Sequence, residues 1–541
     1  MTEKKYKIAL GGAALLFLAL YSVFPFMTGT LFNSPDETAN WHFLKTFSLH
    51  GDFASFEPLN FWFDGAVHPR SISWNGSVLV PQGFVGLPLL YGWLARLFSL
   101  DVAKFATPLL AIAGIAAFYG FLKRIFGRMV AGVSFLLLLS FPIYWYYSSR
   151  YLYSAILFAA MLMIAAWASD GLLKDAKNRR LIVFSGAFVL GVMMRPAEVL
   201  WVAPLAALVA YIYRREISWS RIFYAAAIGA AVAIPFFQAN IFLYGSPLRT
   251  GYLLSGPAAE GINWPAIFNL APWQRIFLPF GFSAKTIIGN VFIFLIKYFW
   301  QYSLPAIGGF AIWFAGKKTK EERIYALIAI MAAVWLVLFY GSGKFSDNPS
   351  GGVTLGDSHL RYWLPIFILM MPFAAKFFSV VLARVKPLRS RVVVAAGLAV
   401  FFLAMSVNTT VYSYDDGLLA VAKNLKNNEA VKSRVLQLTA NRDVIVTGRQ
   451  DKVFFPERTV LYVDKLTPPL LMKIVNFSGR DFYYFAIGIK AEELNNFNLL
   501  LGVYGYKLER VEIFDKEVLY RFEKMHKNFA YYYLSFPTLE R

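Results

Sequence analysis

Apolar residues in this chain come in long blocks broken by short polar or basic stretches. The first block runs from about Ile8 to Met27. Others occupy about 104–122, 129–147, 151–168, 181–194, 197–213, 222–243, 290–315, 324–341, 362–383 and 392–412. Runs of roughly 18–25 residues match the length needed to cross about 30 Å of hydrocarbon at 1.5 Å per residue. One more block, at about 82–99, carries Gly83, Gly86, Pro88, Gly92 and Arg96. Proline removes a backbone donor and glycine weakens a helix, so this block predicts an interfacial helix rather than a crossing. Eleven spans result. The first reads as a retained span, because it is span-length and ends in Phe24-Pro25-Phe26, where a signal peptide would show a small-residue cleavage site.

The linkers set the direction of each span. Lys4, Lys5 and Lys7 precede the first block, and Lys123, Arg124 and Arg128 follow the second. Lys174, Lys177, Arg179 and Arg180 come next, then Arg214, Arg215 and Arg221. The last two groups are Lys317, Lys318, Lys320 and Arg323, and Arg384, Lys386, Arg389 and Arg391. The positive-inside rule puts all six groups in the cytoplasm. Parity is satisfied only if 82–99 does not cross, and the C-terminus is then extracytoplasmic. Three long loops, 28–103, 244–289 and 342–361, share the outer face. No internal repeat of the kind found in symmetric transporters is present. The working site is therefore expected on the outer face.

After about residue 412 the pattern changes. Asp415–Asn428 has helical apolar spacing, while Arg442–Thr447, Thr459–Val463 and Lys516–Phe522 read as strands. The fold class expected is mainly α and polytopic, with residues 1–412 as a transmembrane domain and 413–541 as a small extracytoplasmic α/β domain.

Composition agrees. Of 541 residues 58% are hydrophobic and 16% charged, against about 25% charged in soluble proteins. Disorder is excluded and a soluble enzyme disfavoured. The net charge of +21 suggests nucleic acid until its placement is read. Of 34 Lys and Arg before residue 413, 21 lie in the six cytoplasmic groups, and the tail holds 19 bases against 16 acids. The charge sets topology, and no nucleic-acid partner is expected. Cysteine is absent, which removes disulfides, thiolate metal sites and a Cys nucleophile.

Chemistry concentrates just beyond the first span, in Asn33-Ser-Pro-Asp36-Glu37-Thr-Ala-Asn-Trp-His42. Two readings of Asp36 and Glu37 stand. Acids in a first helical turn are stabilised by the helix dipole, and Ser34 or Asp36 is a natural cap. A carboxylate at the membrane face is also suited to take a proton from an attacking hydroxyl. Neighbouring residues on a helix point about 100° apart. Only one of the two is then the base, and the other helps to position the acceptor.

The Pro-Asp-Glu motif after span one resembles the first outer loop of the GT-C glycosyltransferases, and most closely the protein O-mannosyltransferase and aminoarabinose-transferase group, family 39. The block from Pro81 resembles that group's juxtamembrane helix. Leu122-Lys-Arg-Ile-Phe-Gly127 resembles its basic step after the second span. Met194-Arg195-Pro196-Ala197 resembles its basic-Pro turn, and His359-Leu-Arg361-Tyr362-Trp-Leu-Pro365 its Arg-Tyr-x-x-Pro start of a late span. The likeness covers about 1–412 and does not extend to the tail.

The resemblance implies a polyprenyl-phosphate sugar donor, an acceptor hydroxyl on a protein, lipid or glycan, and inversion at the anomeric carbon. It makes Asp36 the base and Glu37 its neighbour near the acceptor. The leaving phosphate needs cations, for which the guanidinium fork is suited. Arg361 beside Tyr362, Arg70 in the first loop and Arg195 are the candidates. Each also has a plain reading: Arg361 and Tyr362 as an interfacial belt, Arg70 as a loop ion pair, and Arg195 as a salt bridge to Glu198. Lys285 reads as a headgroup contact. His42, His68, Asp357 and His359 are candidates for sugar or acceptor contacts, with Asp347 as a further one. The histidines lack the spacing of a typical zinc site, so no metal is assigned, no cofactor is certain, and a divalent ion is not indicated. No Asp-x-Asp occurs in the first loop and no Trp-Trp-Asp in the chain, against transfer of an oligosaccharide to asparagine.

The function expected is an integral membrane glycosyltransferase of the plasma (inner) membrane, acting on its outer face. The alternatives are a transporter or flippase of lipid-linked saccharide and a non-catalytic cell-envelope assembly protein. A transporter predicts paired charges deep in several spans. Lys297 and Lys376 are the basic residues placed within the later spans, and neither has an obvious acidic partner there.

Overall fold

A computed structural model of the chain describes residues 3–174, 177–254, 274, 277–345 and 353–525. Asp347, His526 and much of the long loop expected at 244–289 lie outside them. The described chain forms two compact units. One holds Met1–Gly29 and Phe84–Ala422; the other holds Thr30–Gly83 and Lys423–Arg541.

The first unit is helical. Among the described residues, seven helices are long and apolar enough to cross a membrane: Glu3–Met27, Leu100–Leu139, Ser154–Leu172, Trp219–Tyr244, Lys320–Tyr340, Leu364–Arg384 and Leu388–Thr410. Leu100–Leu139 covers two expected spans, and Gly127 divides it with φ 80°, ψ 173°. Only a residue without Cβ adopts that break at low cost. Two more spans arise if each of two bent pairs counts as one. Asn178–Met194 and Pro196–Ile212 turn by 114°, and Ala284–Lys297 and Trp300–Ala315 by 96°. The first bend falls at Arg195-Pro196, where proline bars its predecessor from the helical region. The block at 82–99 yields helix Gly86–Leu97, whose 12 residues are too few for a crossing.

The helices pack through small residues. A Cβ on Gly309 would sit 1.7 Å from the carbonyl oxygen of Phe373, and one on Gly114 would sit 2.7 Å from the Cα of Ala160. Such contacts bring backbones together where burial of apolar surface from water does not drive association. Helix Leu388–Thr410 buries only Phe402, Ser406 and Thr410, one stripe at a spacing of four. Its other faces expose Val392, Val393 and Val400, a surface made for lipid.

The second unit is an α/β sandwich around a five-stranded sheet. Its strands are β3 (Val444–Thr447), β4 (Thr459–Tyr462), β5 (Phe482–Ile487), β6 (Tyr506–Phe514) and β7 (Glu517–Lys524), in the order β4-β3-β5-β7-β6. β3 is parallel to β4 and β5, while β7 is antiparallel to β5 and β6. The strand period of two splits β3 between two cores. Val444 and Val446 face Leu461, Phe482 and Tyr520, while Ile445 faces Val435, Val460 and Phe485. Leu59, Phe63 and Val67, from the loop after the first helix, complete the former core. The same loop carries helix Pro35–His50 and a hairpin of β1 (Ile72–Trp74) and β2 (Leu79–Pro81).

Candidate active site

The candidate residues fall into two groups, one in each unit. In the second unit, helix Pro35–His50 starts at a capping box. The Asp36 amide donates to the Ser34 hydroxyl at 3.3 Å, and the Ser34 amide donates to Glu37 Oε2 at 3.2 Å. Glu37 is buried; Asp36 is half-buried. The two adjacent acids therefore differ in their surroundings: Glu37 closes the helix start, while Asp36 Oδ1 accepts from the Ser71 hydroxyl at 2.7 Å.

Ser71 holds that position at φ 61°. The left-handed region costs a residue other than glycine about 1–2 kcal/mol, so neighbouring bonds must fix it. They converge on Arg70. Its backbone amide donates to Asp451 Oδ2 at 2.6 Å, and its Nε and Nη2 donate to Asp451 Oδ1 at 3.2 and 2.9 Å. Nη2 also reaches the Arg449 carbonyl at 2.9 Å, and the guanidinium lies over the Tyr462 ring. Asp451 is fully buried.

The loop histidines are tied locally. His42 Nε2 lies 3.1 Å from the Ser55 hydroxyl, with its ring edge-on to Phe455. Burial, helped by Lys45, pushes its pKa down to about 4. His68 bonds the Pro69 carbonyl through Nδ1 at 2.8 Å, and burial lowers its pKa too. Both rings are neutral near pH 7 and supply no charge to a phosphate.

The first unit holds an aromatic-walled cationic cluster. Arg195 Nε and Nη2 donate to Glu198 Oε1 at 3.0 and 2.7 Å, and Tyr340 donates to the same oxygen at 2.8 Å. Trp201 donates to Glu198 Oε2 at 2.5 Å. The Arg195 guanidinium lies 4.8 Å from the Tyr362 ring centre, and Tyr362 stacks on Tyr340 at 4.5 Å. Arg361 sits over Tyr362 and Tyr153 at 5.3 and 5.4 Å and donates to the Ser358 hydroxyl at 2.8 Å. Asp357 caps helix Ser358–Tyr362 and accepts from His359 Nδ1 at 3.0 Å. Nδ1 then carries the proton, leaving Nε2 to accept from Asn290 at 3.2 Å.

The structure thus groups Asp36 with Ser71, Arg195 with Tyr362 and Arg361, and Asp357 with His359. Lys285 stands in the short helix Ala284–Asn290. Among the described residues no three His, Asp or Glu side chains converge as metal ligands. Ser71, Asp451, Tyr340 and Tyr153 were not legible as site residues. Only Asp451 had a signal, lying just past a predicted strand, where α/β sheets place functional groups.

The architecture matches that of solved membrane enzymes. ArnT from Cupriavidus metallidurans bound to undecaprenyl phosphate aligns with TM-score 0.59 at 11% identity, over 96% of this chain and 98% of that one. Its apo state aligns at 0.55 and 14%, over 95% and 98%. The archaeal oligosaccharyltransferase AglB from Archaeoglobus fulgidus, in complex with an inhibitory peptide and a dolichol-phosphate, aligns at 0.52 and 12%, over 96% of this chain and 74% of that one. No family model and no curated protein sequence matches the chain. The fold is that of the GT-C membrane glycosyltransferases. With its apolar helices, the chain is an integral membrane protein.

Proposed function

We propose that this chain is a glycosyltransferase that moves a sugar from a polyprenyl-phosphate donor to an acceptor hydroxyl on the extracytoplasmic face, with inversion. Residues 1–412 act as the transferase domain, residues 413–541 form an extracytoplasmic domain, and the membrane is the plasma (inner) membrane. The observation that carries the reading is the state of Asp36. On a GT-C fold, directly after the first apolar helix, this carboxylate is half-buried and oriented by a hydroxyl donor.

In the step proposed, the acceptor oxygen attacks the anomeric carbon and its proton passes to an Asp36 oxygen. The new C–O bond forms as the bond from that carbon to the phosphate oxygen breaks, and the phosphate leaves with the electron pair. Glu37 keeps the helix start in place beneath Asp36. Arg361, flanked by Tyr153 and Tyr362, is the proposed phosphate contact, since a fork of donors in a partly desolvated setting stabilises the charge that develops on the leaving group. Arg195 is bound to Glu198 and sets the Tyr362 ring. Asp357 and His359 brace the backbone before Arg361. His42 and His68 are neutral and are proposed as hydroxyl contacts for sugar or acceptor.

The test uses the purified full chain in lipid vesicles with a polyprenyl-phosphate sugar. Release of free lipid phosphate that depends on an added hydroxyl acceptor supports the proposal. Passage of a labelled lipid-linked sugar across the bilayer with no donor consumed replaces it with a transporter.

A further inference from the structure

We propose that the C-terminal domain is the clamp that holds the base loop in its working geometry, and that Asp451, Lys452, Arg70 and Ser71 are positioning residues for Asp36. The inference rests on the reading of Asp36 as base. The turn after β3 and the first two residues of helix Asp451–Phe454 supply the connections that flank Asp36. Asp451 and the Arg449 carbonyl grip Arg70, and Lys452 Nζ donates to the Asn33 carbonyl at 2.6 Å. Gln450 between them donates to Glu517 of β7 at 2.7 Å and ties the turn to the sheet.

The two gripped points lie on either side of one hydrogen bond. Asn33 precedes Ser34, the cap from which Asp36 is the second residue on; Arg70 precedes Ser71. The turn thus spans the Asp36–Ser71 bond from both of its chain segments. Ser71 is left-handed at φ 61°, a conformation that relaxes unless neighbours over-determine it. The Asp451 bond to the Arg70 amide, with the Gln82 amide on the Ser71 carbonyl at 3.1 Å, does so.

The location is informative. In open α/β sheets the ligand crevice lies past the carboxyl ends of strands, where the chain switches sides. Here that place follows β3, which stands between β4 and β5. The chain's own first loop fills it with Arg70. The domain's carboxyl-edge site is thus built for an internal guanidinium rather than for an external ligand.

The experiment measures lipid-phosphate release by the full chain carrying Asp451→Asn, Arg70→Lys, Lys452→Gln or Ser71→Ala, each also combined with Asp36→Asn. A displaced reacting group costs about 10²-fold. The expected result is a kcat lowered about 10- to 100-fold with the KM for donor unchanged, and no further loss in the Asp36→Asn background. Hydrogen exchange supplies a second readout. Residues 67–72 exchange faster in Asp451→Asn while β3 and β5 stay protected. If the strands also lose protection, the loop-side variants Arg70→Lys and Ser71→Ala decide. Unchanged kcat in those two overturns the clamp while leaving Asp36 in place. A raised donor KM at unchanged kcat overturns it in favour of Arg70 as a phosphate contact. Full activity of Asp36→Asn alone removes the base reading, and the clamp with it.

Discussion

The Ser71 hydroxyl donates to Asp36 Oδ1 at 2.7 Å, while the adjacent Glu37 is turned inward to close the start of its own helix. Two neighbouring acids are thereby separated into different tasks by local geometry. The consequence for Glu37 is testable. Glu37→Gln keeps an oxygen that can accept from the Ser34 amide, and Ser34→Ala removes the cap. Loss of a cap costs about 1 kcal/mol. The expected outcome is a lowered melting temperature for Ser34→Ala, with Glu37→Gln near wild type in both stability and turnover. A Glu37→Gln variant as inactive as Asp36→Asn contradicts the division.

The buried Arg195–Glu198 pair answers to stability before chemistry. Removing one member of a buried pair leaves an uncompensated charge and costs about 3–5 kcal/mol. Glu198→Ala therefore lowers the thermal midpoint strongly, and Arg195→Met with Glu198→Met recovers most of it. Melting in detergent of the single and double variants measures the coupling; additive losses would contradict it.

Arg361 meets the opposite expectation. It bonds Ser358 and lies against two tyrosine rings. Arg361→Ala should weaken binding of polyprenyl phosphate about tenfold or more, with Arg361→Lys intermediate because an ammonium lacks the fork. Titration with the lipid phosphate in vesicles reads it. Unchanged affinity in Arg361→Ala removes Arg361 from the donor site.

His42 gives a pH dependence with a definite sign. Its ordinary pKa of 6.5 falls to about 4 in the fold, chiefly through burial. The unfolded chain then binds more protons between those values, so this contribution is fully present above pH 6.5 and is lost as pH falls toward 4. His42→Gln should flatten the acid side of the stability profile between pH 6.5 and 4. An unaltered acid limb contradicts the assignment.

The helical fold was legible because lipid demands long apolar runs, and these are written locally. The arginine turn at Arg195-Pro196 was legible for the same reason, since proline acts on its immediate neighbour. The tail was read in part. β3, β4 and β7 showed strand composition, but Phe482–Ile487 lies at the sheet centre, where burial on both faces erases the alternation. The link from Arg70 to Asp451 joins positions 381 apart. Nothing in either segment marks the other, because each is polar for reasons a surface loop also satisfies. The plain reading of Arg70 as an ion pair needed no partner; the partner's complete burial is a tertiary fact.

The central claim is that Asp36 takes the acceptor's proton. The most direct measurement is the rate of lipid-phosphate release by Asp36→Asn in vesicles, with donor affinity measured alongside. General-base catalysis contributes roughly 10²- to 10⁴-fold. A loss of that size, with donor affinity preserved, is the expected result. Turnover equal to wild type, with donor bound equally well, would contradict it.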